Sequence, residues 1–299
     1  SAWTTTGFAV TWVAPAVGNG PAVDGYTLYE RVTHAMGDVA SGGVPDDVLQ
    51  TMLSQSTDTV VVDTVAYDGR SSTAVSTTLS GLSGGVSYDY VVAARSSAGE
   101  GARSAALSVS TSPPAPGSLA SVSQTTSSIT LSWSAPVVTT GSAVTGYKLY
   151  IDDGSSGDPS AEVSCGGAAL DTTCTASGLT GGVSYSFEVS ALSTNGESVT
   201  SSVLTQSTAP AVVAASGMAF SSVAMTSMVL TWSAPSGETP TGYIVYRDDG
   251  DSTAMPTPSI VAFEGDALTT TVDDLTGGTT YTYMIAALSG SGVSEVSDE

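Results

Sequence analysis

The stretch Ile129-Thr-Leu-Ser-Trp133-Ser-Ala-Pro136 decides the fold, because it occurs in two further versions in the chain. Apolar and polar residues alternate up to a Trp, which is typical of a half-buried strand, and a Pro then stops strand pairing. Self-similarity of this kind predicts a protein of three modules. The other two versions are Phe8-Ala-Val-Thr-Trp12-Val-Ala-Pro15 and Val229-Leu-Thr-Trp232-Ser-Ala-Pro235.

Two more motifs follow each Trp in the same order. The first Tyr of the second motif lies 14, 14 and 11 residues after the Trp, so only the intervening turn changes length. Short alternating strands between Gly-rich or Asp-rich turns must each bury one face, and two facing sheets about 10 Å apart do that. The second motif reads Gly25-Tyr26-Thr-Leu28-Tyr29, Gly146-Tyr147-Lys-Leu149-Tyr150 and Gly242-Tyr243-Ile-Val245-Tyr246. The third reads Gly81-Leu-Ser-Gly-Gly-Val-Ser-Tyr88, Gly178-Leu-Thr-Gly-Gly-Val-Ser-Tyr185 and Asp274-Leu-Thr-Gly-Gly-Thr-Thr-Tyr281.

This order of motifs resembles the fibronectin type III family, three times over and across essentially the whole chain. The resemblance implies an all-β fold of three tandem Greek-key β-sandwiches with seven strands each. It also implies structural roles for one Trp and one Tyr per module. Core positions are implied for Trp12, Trp133 and Trp232, and tyrosine corners for Tyr88, Tyr185 and Tyr281.

Pro-bearing linkers set the expected module boundaries, because Pro113 and Pro210 each follow the preceding corner Tyr by 25 residues. Only 11 residues precede Trp12, so the first strand of module one is expected to be incomplete. Only 18 residues follow Tyr281, so the last strand of module three is expected to be incomplete, with further modules on both sides. The predicted modules are residues 1–112, 113–209 and 210–299.

Module one carries an insertion at about residues 30–58. The distance from core Trp to corner Tyr is 76 positions there, against 52 and 49 in the other modules. Within the insertion, Pro45 to Gln55 has Pro at the start, two acids in the first turn and apolar residues four apart. This pattern predicts a short helix.

The charge balance narrows the classes of partner. Six basic residues stand against 28 acidic ones, which gives a net charge of -22. Phosphate binding needs clustered Lys and Arg, so nucleic acid and anionic membranes are excluded as partners. No apolar run approaches the roughly 18 residues of a membrane helix. An acidic surface whose self-repulsion is screened by salt favours an extracellular setting.

Cys165 and Cys174 lie nine positions apart. They are either two buried thiols or a disulfide bond, and the disulfide is favoured because the surrounding strands are rich in Ser and Thr. A bond would imply an oxidising compartment. Cys174 has the strand parity of inward-facing Ala176, and Cys165 that of Val163, so both sulfurs can point to the sandwich edge.

A hydrolase signature, GxSxG, occurs at Gly81-Leu-Ser83-Gly-Gly85. The same turn carries Thr in the other two modules, and no helix follows it, so we interpret the match as a by-product of the repeat. His34 is the single histidine of the chain, which argues against a Ser-His mechanism and excludes Cys/His metal sites by number. We therefore expect no catalytic residues and no cofactor-binding residues.

Two acidic turns leave a choice between a calcium site and a simple hairpin turn. Clustered aspartates with backbone carbonyls begin to supply the six to eight oxygens that calcium needs. Asp-Gly is, however, the preferred hairpin turn, and no Glu completes a helix-loop-helix calcium loop, so the turn interpretation is favoured. The candidate ligands are Asp152, Asp153, Asp158, Asp248, Asp249 and Asp251.

Tandem repetition without catalytic residues favours a structural and adhesive extracellular array that spaces or assembles a surface structure or filament. Its expected partners are other protein modules or copies of itself, with glycans as a further class. The alternatives are an accessory region of a secreted carbohydrate-active enzyme and a receptor ectodomain. Integrin-type adhesion is not expected, because no Arg-Gly-Asp sequence occurs.

Overall fold

A computed structural model describes residues 7–16, 18–35, 59–250 and 260–298. The predicted helix between Pro45 and Gln55 and the candidate ligand Asp251 lie outside the described residues. Within the described part, the regular secondary structure consists almost entirely of antiparallel strands. The fold class is therefore the predicted one, all-β with two facing antiparallel sheets in each of three modules.

The described residues of module one form two sheets. β1 pairs with β4, and the other sheet has the order β3-β2-β5-β6, with β7 also pairing with β5. Phe8 and Val10 alternate along β1 and are buried at 2% and 5% exposure, as the sequence pattern requires. The strands are β1 (Gly7–Thr11), β2 (Val23–Ala35), β3 (Thr59–Gly69), β4 (Ser76–Ser80), β5 (Ser87–Ser96), β6 (Gly99–Arg103) and β7 (Leu107–Ser110).

Module two forms a three-stranded sheet of order β12-β9-β8 and a second sheet of order β11-β10-β13-β14, with β15 pairing with β13. Ile129 and Leu131 of β9 are fully buried, and the alternate residues are not. Its strands are β8 (Gly117–Gln124), β9 (Ser128–Ser134), β10 (Gly146–Ile151), β11 (Ala161–Val163), β12 (Thr173–Ser177), β13 (Ser184–Ser193), β14 (Gly196–Glu197) and β15 (Leu204–Ser207).

Module three repeats this arrangement with the orders β16-β17-β20 and β19-β18-β21-β22. A short 3₁₀ helix, Ala215–Gly217, precedes its first strand. The strands are β16 (Ala219–Ser221), β17 (Met228–Thr231), β18 (Gly242–Arg247), β19 (Ile260–Gly265), β20 (Thr269–Val272), β21 (Tyr283–Ser289) and β22 (Gly292–Val293).

Each module has its own apolar core between its two sheets. In module two, for example, Leu131, Leu149 and Phe187 come from β9, β10 and β13 and are completely buried in one cluster. Modules one and three have equivalent clusters around Leu28 and Val245. The core that each repeat buries is therefore the one that the alternating strands predict.

The insertion of module one begins inside a strand. Residues 30–35 continue β2, and their backbone pairs with residues 59–64 of β3. The corresponding strand of module two, β10, has 6 residues against 13 in β2. The extra residues on either side of the undescribed segment therefore lengthen a hairpin of the sheet. Within the described residues, no helix has the length and apolar character needed to cross a bilayer.

Candidate functional site

The third motif forms a tyrosine corner in every module. The corner hydroxyl accepts a hydrogen bond from the backbone N–H five residues earlier, at 2.8 Å for Ser83 to Tyr88, 3.0 Å for Thr180 to Tyr185 and 2.9 Å for Thr276 to Tyr281. The bond from Thr276 lowers the pKa of the Tyr281 hydroxyl.

The turn that matches GxSxG is this corner. Ser83 donates its backbone N–H to Tyr88, and its carbonyl accepts from the Thr111 hydroxyl at 2.7 Å. Thr180 makes the same pair of contacts in module two, with Tyr185 and Thr208. The geometry thus assigns Ser83 a folding role, and the side chain of His34 is outside what the structure describes.

Each core Trp packs against the first Tyr of the second motif. The ring centroids are 5.4 Å apart for Trp12 and Tyr26, and 5.5 Å apart for Trp133 and Tyr147. The third pair, Trp232 with Tyr243, has a separation of 5.6 Å. Trp133 and Trp232 are 6% and 4% exposed, whereas Trp12 is only partly buried. The indole nitrogens are buried without a hydrogen-bond partner, so these side chains act through their volume.

Cys165 and Cys174 are joined by a disulfide bond, with an S–S distance of 2.02 Å. Cys174 lies on β12, and Cys165 follows β11, so the bond links the two sheets of module two at their edge. Inside the closed loop, the carboxylate of Asp171 accepts from the N–H of Ala168 at 2.7 Å. The bond and this turn together fix a loop that strand pairing leaves unsupported.

In the two acidic turns, aspartate side chains hold the backbone by accepting hydrogen bonds from its N–H groups. Asp152 is 5% exposed, and its Oδ1 accepts from the N–H groups of Gly154 at 3.1 Å and Ser186 at 3.0 Å. Asp248 is equally buried and accepts from Gly250 at 3.2 Å. The backbone torsion φ is +78° at Gly154 and +83° at Gly250, and a Cβ at either place would lie within 3.0 Å of the corner Tyr ring. Glycine is therefore required where the turn passes over the ring.

The other candidate calcium ligands do not point to one shared site. Asp153 accepts from the N–H of Ser155 at 2.9 Å, and Asp158 is exposed. Asp249 belongs to the second turn and is also exposed. In the described part of the chain, no three His, Cys, Asp or Glu side chains are grouped so that they could hold a metal ion. The hydrogen bonds from backbone N–H groups to Asp152, Asp153 and Asp248 therefore support the hairpin-turn interpretation.

A polar surface of module one was not predicted from the sequence. We call it the arginine–carboxylate face. Arg31 on β2 binds Asp63 on β3 through two hydrogen bonds of 2.8 Å, and Arg103 on β6 also pairs with Asp63. The guanidinium of Arg103 lies 4.0 Å from the centroid of the Tyr29 ring. The face consists of Tyr29, Arg31, Asp63, Arg95, Glu100 and Arg103.

Glu100 extends the network along β6. The Tyr29 hydroxyl donates to both carboxylate oxygens of Glu100, at 2.8 and 2.7 Å, and Arg95 binds the same carboxylate at 2.8 Å. Beneath these groups, Val91 and Ala93 are 1% and 0% exposed, although they lie on the outer side of the sheet. Long arginine side chains can cover apolar surface in this way while their charged ends stay in water.

The electrostatics of the face centre on Asp63, whose side chain is 7% exposed. The hydrogen bond from Arg31 lowers the pKa of Asp63, and the bond from Arg103 acts in the same direction against the effect of burial. The same contact with Asp63 raises the pKa of Arg31. The carboxylate is thus held in its charged form as part of the folded sheet.

The alternation of residues along β2 predicts part of the arginine–carboxylate face. Thr27, Tyr29 and Arg31 alternate along β2 and must share one side of the sheet. Which carboxylates face them depends on the pairing of β2 with β3 and of β5 with β6. The pairing of β2 with β3 crosses the insertion and could not be obtained from spacing alone.

Together, the paired sheets and repeated tyrosine corners define a tandem β-sandwich protein. The profile of the fibronectin type III domain matches residues 1–110, 113–207 and 213–299. The chain belongs to the fibronectin type III family.

Chitinase A1 of Niallia circulans is 39% identical over 170 residues, which cover 52% of this chain and 23% of the chitinase. Thus this chain matches about a quarter of that relative's length.

Two solved structures from chicken are similar to the chain. The FN1–FN3 domains of CNTN1 are 14% identical, with a TM-score of 0.36, covering 99% of this chain and 93% of that chain. A segment of two fibronectin type III domains of tenascin is 22% identical, with a TM-score of 0.32, covering 60% of this chain and 95% of that chain.

Proposed function

We propose that the chain is a non-enzymatic, structural and adhesive array of extracellular modules, which spaces or assembles a surface structure or filament. The observation that carries this proposal is repetition: three consecutive modules use their corner Tyr and core Trp in the same internal contacts. Modules of this kind supply length and surface, with partners at loops and edges. Other protein modules or further copies of the chain are the partners proposed, and the boundaries 1–112, 113–209 and 210–299 are proposed for the modules.

The polar groups that could most readily take part in catalysis are instead bound within the folded modules. Asp63 is bound by two arginines, and Asp152 holds a turn. Ser83 contributes its backbone to the tyrosine corner. The described side chains that bond to it, Tyr88 and Thr111, are not general bases. These contacts support a role without catalysis.

The disulfide supports the proposed location. A bond between Cys165 and Cys174 persists in an oxidising compartment, such as the cell exterior. The net charge of -22 is compatible with that setting, since it keeps copies apart at low salt and less so at high salt.

A second candidate function is supported by the similarity to chitinase A1. The chain would then be an accessory region of a secreted carbohydrate-active enzyme, holding a catalytic domain at a distance from a binding domain. Glycans are its proposed partners in this case. The 39% identity over 170 residues favours this candidate over a receptor ectodomain.

One experiment separates the candidates. The purified chain is incubated with insoluble chitin, with cellulose as a matched control, and both pelleting and release of soluble sugar are measured. A structural array gives neither pelleting nor sugar release. Pelleting with chitin alone, without sugar release, favours the accessory role. Sugar release that tracks the purified chain contradicts both candidates.

The adhesive part of the first proposal needs its own measurement. Sedimentation velocity is recorded over a wide range of chain concentration, at low and at high salt. Because the chain is strongly acidic, self-association should increase with salt. A sedimentation coefficient independent of concentration at both salt levels would refute self-assembly and leave a spacer role.

A further inference from the structure

The arginine–carboxylate face of module one is bordered by two exposed valines. In the pairing of β2 with β3, Val65 lies opposite Tyr29, and Asp63 lies opposite Arg31. Val61 comes two residues before Asp63 on the same strand and therefore points to the same side of the sheet. Val61 and Val65 are 51% and 59% exposed. Apolar side chains and paired charges are thus combined on one sheet surface.

The insertion of module one creates part of this surface. Counted from the second Tyr of the second motif, Arg31 takes the position that Asp152 and Asp248 have in the other modules. The strand of the second motif ends just before that position in modules two and three, whereas β2 continues to Ala35. The lengthened hairpin therefore adds Arg31 and its partner Asp63 to the sheet.

The charge of the face differs from that of the rest of the chain. The face holds three of the six basic residues and two of the 28 acidic residues, so its formal charge is +1. Three basic and 26 acidic residues remain for the rest of the chain. Two copies that meet through those acidic surfaces bring like charges together, which costs free energy. The arginine–carboxylate face is a surface on which the facing charges can nearly balance.

The layout of the charges is self-complementary. Asp63 is bound by Arg31 and Arg103, and Glu100 is bound by Arg95. A guanidinium has five N–H donors, and Arg31 directs two of its nitrogens to Asp63. In a two-fold contact the same surface serves on both sides, so arginines of one copy can meet carboxylates of the other. The existing bonds hold these side chains in place, which reduces the entropy lost on association.

The composition and size of the face fit a small protein interface. Tyr and Arg are enriched at interfaces between proteins. Four strands about 4.8 Å apart and about nine residues long give a flat area of roughly 500 to 600 Å² per copy. The total buried by two copies is then about 1,000 to 1,200 Å², which is the lower end of the range for specific interfaces. Association through this face should therefore be weak and depend on concentration.

We propose that the arginine–carboxylate face, together with Val61 and Val65, binds the same face of a second copy of the chain. The two sheets pack against each other around a two-fold axis. The valines of both copies pack together, and arginines of each copy donate to carboxylates of the other. This contact rests on the self-association included in the proposed function, and it assigns the surface responsible. An isologous contact closes after two copies, so it produces dimers.

Sedimentation velocity of the complete 299-residue chain tests the contact. At high salt, where repulsion between acidic copies is screened, a dimer should form as the concentration rises. Val65→Asp should weaken this dimer about tenfold or more, because it buries an unpaired charge in the contact. Val261→Asp is the matched control. Val261 lies opposite Tyr246, the counterpart of Tyr29, and is 57% exposed on β19 of module three. This control makes the same change of charge and should leave the dimer unchanged.

A substitution that keeps the charge tests the role of the arginines. Arg103→Lys retains the positive charge but removes the planar fork of donors, so it should weaken the dimer about threefold or more. Arg70→Lys is the control, because the Arg70 side chain is 68% exposed and pairs with Asp68 outside the face. It should leave the dimer unchanged.

Chemical crosslinking locates the contact without adding a charge. The two native cysteines are joined to each other, so Val65→Cys introduces the single free thiol of the chain. A short bismaleimide should link two copies through this thiol at concentrations where the unmodified chain is dimeric. Val261→Cys should give little covalent dimer under the same conditions. Circular dichroism and thermal unfolding at low concentration check that every variant folds.

The outcomes distinguish this contact from self-association in general. If the chain dimerises but Val65→Asp or Arg103→Lys leaves the dimer unchanged, the contact lies elsewhere, and the proposal is overturned while self-association stands. Equal crosslinking of Val65→Cys and Val261→Cys would overturn it as well. A chain that stays monomeric at all concentrations and salt levels would refute both self-association and this contact, and would leave the spacer role.

Discussion

Replacing Trp133 by Ala should destabilise module two by about 3 to 5 kcal/mol, which is the usual cost of deleting a large aromatic side chain from a core. Trp133 is 6% exposed and packs on Tyr147 with a ring separation of 5.5 Å. Burial of roughly 200 Å² of aromatic surface at about 25 cal/mol per Å² gives a similar value of about 5 kcal/mol.

A second substitution tests the physical reason. The indole N–H of Trp133 is buried without a hydrogen-bond partner, so Trp133→Phe loses volume but no hydrogen bond. The cost should fall to about 1 to 2 kcal/mol. If the Phe variant were as unstable as the Ala variant, the indole nitrogen would have a bonding role that the structure does not show.

Native-state hydrogen exchange read by mass spectrometry is the appropriate assay, because it reports each module separately in one sample. Amides of β9 and β13 should exchange about a hundredfold to a few thousandfold faster in the Ala variant. Modules one and three serve as internal controls, and Trp232→Ala should move the effect to module three. A loss below about 1 kcal/mol in module two would refute a buried role for Trp133.

The remaining predictions concern one ion pair, the disulfide and the repeated turn. Because the pKa of Asp63 is lowered in the folded protein, its contribution to stability is complete above the unfolded value near 3.8 and is lost as the pH falls through the lower folded value. The melting temperature of module one should therefore fall in that acid range. The Asp63→Asn variant should be less stable near neutral pH, and its melting temperature should depend less on pH. An unchanged pH dependence in this variant would contradict the ion pair. Mass spectrometry of the unreduced, denatured chain should find no free thiol, and replacing Cys165 and Cys174 by Ser should cost about 2 to 3 kcal/mol in module two; two free thiols would refute the bond. The purified chain should show no hydrolase activity, and turnover that Ser83→Ala abolishes would disprove the assigned folding role.

The fold could be predicted because it is written three times in local patterns. Alternation along β9 identifies Ile129 and Leu131 as inward-facing without any knowledge of the partner strand. The Gly-Gly turn before each corner Tyr marks where a strand begins. The insertion of module one has no counterpart in the other modules, so comparison of the repeats says nothing about its structure. The comparison therefore does not predict that β2 continues to Ala35.

The polar surface of module one depends on which strands become neighbours. Asp63 and Arg103 are 40 residues apart, and they meet because β3 and β6 both belong to the sheet built on β2 and β5. A charge count describes a chain of -22 and gives no sign that guanidinium groups gather on one sheet. Such a cluster is a property of the sheet order, which motif spacing does not determine.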